Sequence, residues 1–243
     1  MVEPGPDPAA TTGARPLRLA VPKGRVAEEL FAYMKARRLG VPPSRNDRRL
    51  TITNDDCSLE YILAKPADVP TFVSHGVADV GVVGLDNLRE ENLDVLEPFA
   101  LPLKTWRMSL AGFAEWRGRS LQGANHLRVA TKYVRIASEF FVSKGISAEI
   151  IKLNGSVELA PLTGLSDLIL DVVETGGTLK ANGLEELYQV MQCHPVVIVN
   201  RSAYHLQSAQ VGGFLQAIHP KAHRQHGGGG QTATCTQSSP RRR

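Results

Sequence analysis

The run Leu168–Val173 (LILDVV) and the glycine turn directly after it constrain this chain more than any other stretch. The run is short, β-branched and apolar apart from Asp171, as a buried strand should be. It meets Glu174-Thr175-Gly176-Gly177-Thr178, and the segment after that, Leu179–Tyr188, has helical character. Strand, glycine turn and helix N-terminus together make an anion cradle. Glycine permits φ > 0 and close backbone approach, threonine hydroxyls donate, and the unpaired amides of a helix start point at the charge. Two carboxylates, Asp171 and Glu174, stand beside this cradle. They would repel a bare phosphate. A ribose 5-phosphate suits them better, because its hydroxyls donate to carboxylates while the turn holds the phosphate. The string therefore reads as a phosphoribosyl site. A plain glycine-rich β–α turn, with Glu174 favoured by the helix dipole, is the competing reading.

The remainder of the chain alternates strand and helix patterns. Leu17–Val21 reads as a first strand ending in Pro22-Lys23-Gly24-Arg25, and Val26, Leu30 and Met34 then recur at helical spacing. Leu59–Ala64 and Val80–Gly84 read as strands, with a helix between them started by Asp68 and Pro70 and stopped at Gly76. From Arg107 the pattern restarts with strands at Met108–Gly112, Leu127–Thr131 and Glu149–Leu153, and helices are expected after Lys132-Tyr133 and at Val157–Leu162. Val196–Asn200 reads as a last strand and Ser202–Gln210 as a helix. This predicts an α/β fold with a largely parallel sheet, arranged as two small lobes, one before Leu103 and one after Arg107. A single doubly wound domain fits the same pattern. Residues 1–16 and 212–243 are expected to be a disordered lead and tail, since neither has apolar periodicity.

Charge narrows the function. Of 28 basic side chains, five (Lys221, Arg224, Arg241, Arg242 and Arg243) lie in the tail, where there is no acid, so 23 basic face 24 acidic side chains in the rest. That balance argues against a nucleic-acid-binding face. Cys57, Cys193 and Cys235 form no C-x-x-C pair and read as reduced thiols. No stretch approaches a membrane span, and the N-terminus lacks the positive start and apolar core of a signal peptide, so a cytoplasmic location is expected. The histidines are scattered and assemble no metal site.

Glu158, Gly164, Ser166, Ile169, Asp171, Val172, Thr175, Gly176, Thr178 and Leu179, at one spacing and without a gap, resemble the signature of the ATP phosphoribosyltransferases, which catalyse the first step of histidine biosynthesis. Pro22-Lys23-Gly24-Arg25 resembles the family's PKGR motif. Arg48 lies in a segment similar to its Ser-Arg-Lys-Leu, and Asp79–Leu88 keeps Gly81, Gly84 and Asp86 of its G(I/V)xGxD. Ala130-Thr131-Lys132-Tyr133 resembles its ATKYP. Leu85, Trp106 and Val134 depart from it, standing where the family usually has lysine, a small residue or cysteine, and proline.

The resemblance implies two lobes of periplasmic-binding-protein-like type II topology with a cleft between them and two chain crossings. The first lobe would comprise residues 17–104 with 190–211, the second 105–189. It implies transfer of the phosphoribosyl group from phosphoribosyl pyrophosphate to adenine N1 of ATP, with Mg2+ carried by substrate and no direct protein ligand. Glu158, Asp171, Glu174, Thr175, Gly176, Gly177, Thr178 and Leu179 would bind phosphoribosyl pyrophosphate. Lys23, Gly24, Arg25, Gly84 and Asp86 would bind ATP, and Lys23, Arg25 and Arg48 would offset charge on the departing pyrophosphate. With the foldable pattern ending near Gln210, the chain resembles the family's short form, which works with a histidyl-tRNA-synthetase-like regulatory subunit in a hetero-octamer. A non-catalytic two-lobed nucleotide- or solute-binding protein is the alternative.

Overall fold

A computed structural model describes residues 15–42, 50–124 and 126–221. The first lobe is built on a six-stranded sheet and the second on a five-stranded one. In the first, β1 (Leu17–Pro22) leads into α1 (Arg25–Ala36), which buries Ala27, Leu30 and Met34 on one face. Next come β2 (Thr51–Thr53), β3 (Leu59–Ala64), α2 (Val69–Ser74), β4 (Val80–Gly84), α3 (Leu85–Glu91) and β5 (Leu96–Ala100). The second lobe holds β6 (Trp106–Gly112), β7 (Leu127–Thr131), α4 (Val134–Ser143), β8 (Ala148–Lys152), α5 (Leu159–Leu162), β9 (Leu168–Val173), α6 (Gly177–Ala181) and β10 (Glu185–Cys193). The chain then returns as β11 (Pro195–Val199), α7 (Arg201–Leu206) and α8 (Ser208–Ile218).

The sheet orders are β2-β3-β1-β4-β11-β5 and β10-β6-β9-β7-β8. Parallel pairing joins β1 to β3 and β4, and β7 to β8 and β9. The expected largely parallel sheet is corrected, because β6 and β11 run antiparallel to their neighbours. The reason is the route of the chain. Both crossings lie side by side, Leu101 N–H bonding Pro195 O at 2.9 Å and Leu85 N–H bonding His194 O at 2.9 Å. A strand entering a lobe at the edge where its parallel strands end can only run the other way. Each sheet buries both faces, as strands covered on two sides by helices must.

Four expectations about boundaries change. Helical character over Leu179–Tyr188 survives only to Ala181. Gly183 takes φ 68°, its N–H bonds Lys180 O and Leu184 N–H bonds Leu179 O, a glycine-closed helix end stapled by two buried leucines. The released segment pairs with β6 as β10. That strand stays in the second lobe through Cys193, so the return falls at His194 and not at residue 190. Arg15, placed in the lead, forms a bidentate pair with buried Asp79 at 2.7 and 2.8 Å. And the tail does not begin at Gly212: α8 buries Val211, Phe214, Leu215 and Ile218 against the sheet face that also packs α1. Two adjacent glycines hid a helix whose apolar residues recur at i, i+3, i+4 and i+7. Asp68 makes no side-chain cap bond; a turn over Pro66–Asp68 precedes α2 instead.

Ile218 is fully buried, so Ile218→Ala removes packing from the first lobe. A loss of about 2–5 kcal/mol is expected in urea unfolding; an unchanged midpoint would show that α8 contributes nothing to the lobe.

Candidate active site

β9 lies between β6 and β7, the innermost position of its sheet, and delivers Asp171 and Glu174 at its carboxyl end. Gly176 takes φ 75°, with no atom nearer than 3.9 Å to a Cβ built on it, so conformation and not space requires glycine there. Gly177 N–H donates to Thr175 Oγ1 at 3.5 Å, and buried Leu179 anchors the turn in the core. The fold brings Glu158, Asp171, Glu174, Thr175, Gly176, Gly177, Thr178 and Leu179 together around one cavity of about 250 Å3. Ser109, which pairs with Asp171 across the strands, lines it too.

The cavity is acidic and partly unsatisfied. Asp171 Oδ1 is buried without a hydrogen-bond partner among the described residues. Burial raises the pKa of Asp171, reinforced by the nearby charges of Glu158 and Asp86 and opposed by Lys132. Facing it from the first lobe is Arg25, at the start of α1. Its Nη1 donates to Glu174 across the cleft, its Nε lies 3.5 Å from Glu29, and its guanidinium stands 6.0 Å from the Trp106 ring. Gly24, at the N-cap of α1, takes φ 97°, and Lys23 is exposed beside it. Arg48 lies outside the described residues.

Gly84 and Asp86 fall elsewhere. They are buried at the lobe crossing, where a Cβ on Gly84 would meet Asp86 Oδ1 and the Trp106 ring. Asp86 Oδ2 accepts from Tyr133 Oη at 2.8 Å and from Asn87 Nδ2 at 2.7 Å. Burial pushes the Asp86 carboxyl pKa up, and burial beside Asp86 pushes Tyr133 up as well. A second contact joins the lobes: Glu90 of α3 accepts from the N–H groups of Arg135 and Ile136, both at 3.1 Å, capping α4 from the other lobe. Val134 is the first residue of α4, a slot that suits proline equally.

Sequence reasoning missed three cavity neighbours. Ser109 becomes visible only once the β6–β9 register is known. Arg107 holds Glu186 at 2.5 Å and donates to Glu174 O at 3.3 Å, steadying the turn. Lys132 was present in the Ala-Thr-Lys-Tyr string without a role. Among the described residues no three His, Cys, Asp or Glu side chains are grouped to hold a metal ion, and no helix is long and apolar enough to cross a membrane.

These features define a two-lobed α/β protein with a carboxylate-flanked anion cradle at the carboxyl ends of its strands. A family model described as ATP phosphoribosyltransferase (HisG) matches residues 65–220. An ATP phosphoribosyltransferase of Sorangium cellulosum is 46% identical over 195 residues, spanning 80% of this chain and 90% of the relative. One from Leptospira biflexa is 41% identical over 203 residues, spanning 83% and 98%. The solved ATP phosphoribosyl transferase (HisG:HisZ) complex from Thermotoga maritima superposes with a TM-score of 0.70 at 39% identity, covering 83% of this chain and 96% of that one. Protein AF1704 of Archaeoglobus fulgidus, 11% identical with a TM-score of 0.53, shares the fold. This chain belongs to the ATP phosphoribosyltransferase family.

The raised pKa of Asp171 carries a stability consequence. The folded protein holds a proton that the unfolded chain releases, so ionised Asp171 weighs increasingly against the fold as pH rises above the ordinary aspartate value of about 3.9. Asp171→Asn is expected to raise Tm at about pH 8 and to lose that advantage as pH falls toward about 4, by thermal unfolding across the range. A variant less stable than wild type at the alkaline end would contradict this origin of the shift.

Proposed function

We propose that this chain transfers the 5-phosphoribosyl group of phosphoribosyl pyrophosphate to N1 of the adenine of ATP, as the first step of histidine biosynthesis. The observation that carries the reading is the gathering of the whole carboxylate-and-TGGT string around one cavity, with Arg25 facing it from the other lobe. The turn over Thr175–Leu179 holds the 5-phosphate through backbone N–H groups and threonine hydroxyls. Glu158, Asp171 and Glu174 accept from the ribose hydroxyls and hold C1 in line for displacement. ATP approaches from the first lobe along Lys23, Gly24 and Arg25. Gly84 and Asp86 act on it by setting the angle between the lobes, since both are buried at the crossing.

In the reaction the C1–O bond breaks with its electron pair on the departing pyrophosphate, while the N1 lone pair forms the C1–N1 bond. N1 brings its own lone pair, so no general base is required. The remaining demand is charge on the leaving group, which Arg25 and Lys23 offset, with Arg48 as a further cation. The orphaned Asp171 oxygen and the oxygen-rich wall fit a hard cation that keeps its water and phosphate ligands. Mg2+ bound to pyrophosphate would neutralise part of the developing charge, with Asp171, Glu158 and Glu174 holding its water shell.

The relatives' shared name supports the enzyme over a non-catalytic binding protein. Likeness to the Thermotoga HisG:HisZ complex supports a HisZ-type regulatory subunit; that this subunit resembles histidyl-tRNA synthetase in a hetero-octamer, and that the setting is cytoplasmic, we propose from the family resemblance. Incubating the chain with ATP, phosphoribosyl pyrophosphate and Mg2+, alone and with such a subunit, should release pyrophosphate and yield the N1-ribosylated nucleotide. No product in either case overturns the reading.

Gly176→Val and Thr178→Ala should raise KM for phosphoribosyl pyrophosphate roughly tenfold or more, as expected for lost hydrogen bonds to a charged group. Normal KM in both would make the turn structural. Arg25→Ala should lower kcat by about 100-fold with a smaller change in KM, because its charge counts most as pyrophosphate departs. Steady-state kinetics on folded variants decides; unchanged kcat removes Arg25 from the machinery.

A further inference from the structure

Lys132 directly follows β7, and β7 lies beside β9 in parallel register with Thr131 opposite Leu170. The next step along both strands sets Lys132 beside Asp171, one strand spacing away. Its ammonium lies 4.6 Å from the centre of the Tyr133 ring, and Tyr133 bonds Asp86 of the other lobe. The lysine ammonium thus lies over an aromatic face beside a contact that joins the lobes. Both Asp86 and Asp171 feel its charge. Yet the residue is exposed, and among the described residues no carboxylate lies within ion-pair distance of it.

Two arginines near the cavity are already engaged. Arg25 is shared between Glu174 and Glu29, and Arg107 is held by Glu186. The cavity itself contributes Glu158, Asp171 and Glu174, so a polyanionic substrate enters an acidic wall. A sugar with its 5-phosphate in the turn after β9 and its hydroxyls on these acids directs its C1 substituent away from the turn, toward the end of β7. That substituent is a diphosphate, and Lys132 stands there with its ammonium paired to no carboxylate among the described residues.

On the proposed function as its basis, we infer that Lys132 binds the diphosphate of phosphoribosyl pyrophosphate and stays with it as it leaves. Its ammonium donates to the departing oxygens while the C1–O electron pair passes to them; no proton transfer is required. The compact charge of lysine tolerates a group that moves away from C1.

The test uses the full chain with Lys132→Met and Lys132→Arg, and three probes measured by calorimetry: inorganic pyrophosphate with Mg2+, ribose 5-phosphate, and ATP. Lys132→Met should weaken pyrophosphate binding roughly tenfold or more, the loss expected for a charged hydrogen bond, and lower kcat. Ribose 5-phosphate and ATP should bind as in wild type, which also certifies the fold. Lys132→Arg should recover most of the pyrophosphate affinity. Pyrophosphate affinity unchanged in Lys132→Met, in an otherwise active protein, overturns the inference alone. A loss confined to ATP overturns it too, by assigning the lysine to the nucleotide. Wild type that forms no product overturns the enzyme reading and this inference together.

Discussion

The two lobe crossings lie side by side, and the rest of the structure depends on that constraint. Because Leu101 bonds Pro195 and Leu85 bonds His194, the links form one hinge and not two separate tethers. The hinge lies where the parallel strands of both sheets end. Strand ends are where turns and helix N-termini leave backbone groups unpaired, and ligands in open α/β sheets bind there. Two such ends facing each other frame a site in the cleft between them. The segments after β1 and β9 meet at the cavity, Arg25 with Glu174, and those after β4 and β7 meet at the crossing, Asp86 with Tyr133.

How legible this was depended on whether the information was local. The β9 turn could be read because its chemistry is contiguous: strand, acids, glycines and threonines succeed one another, and the fold only had to preserve their order. The Lys23-Gly24-Arg25 turn was legible for the same reason. What escaped was relational. Ser109 lines the cavity through a register, Arg107 reaches the turn from its partner on β10, and Lys132 comes beside Asp171 through a strand neighbour. Asp86 is assigned to the nucleotide only through the resemblance of Asp79–Leu88 to the family's G(I/V)xGxD segment. Only the folded chain exposes Tyr133 as its partner, 47 positions away. The errors at the edges of elements have equally specific causes. Gly183 ends a helix whose propensity would have carried it on, and the glycines of α8 masked an apolar stripe that the first lobe buries.

Two of the contacts that join the lobes differ in strength in a way that suits the proposed chemistry. On the hinge side the Asp86–Tyr133 bond is buried, with Asp86 3% exposed, and breaking it would leave a buried polar group unsatisfied at a cost of about 1–3 kcal/mol. On the open side the Arg25–Glu174 pair is exposed, 35% and 40% for the two side chains, where solvent screening leaves an ion pair worth only about 0–1 kcal/mol. On the proposed function, an arriving ribose would supply hydroxyls to Glu174 and a pyrophosphate would supply oxygens to Arg25, so both partners would exchange one ligand for another instead of losing one. The clasp could then open at little cost while the buried contact stays made. Arg25, proposed to face the leaving group, is held beside a site whose own carboxylates would otherwise repel a polyanion.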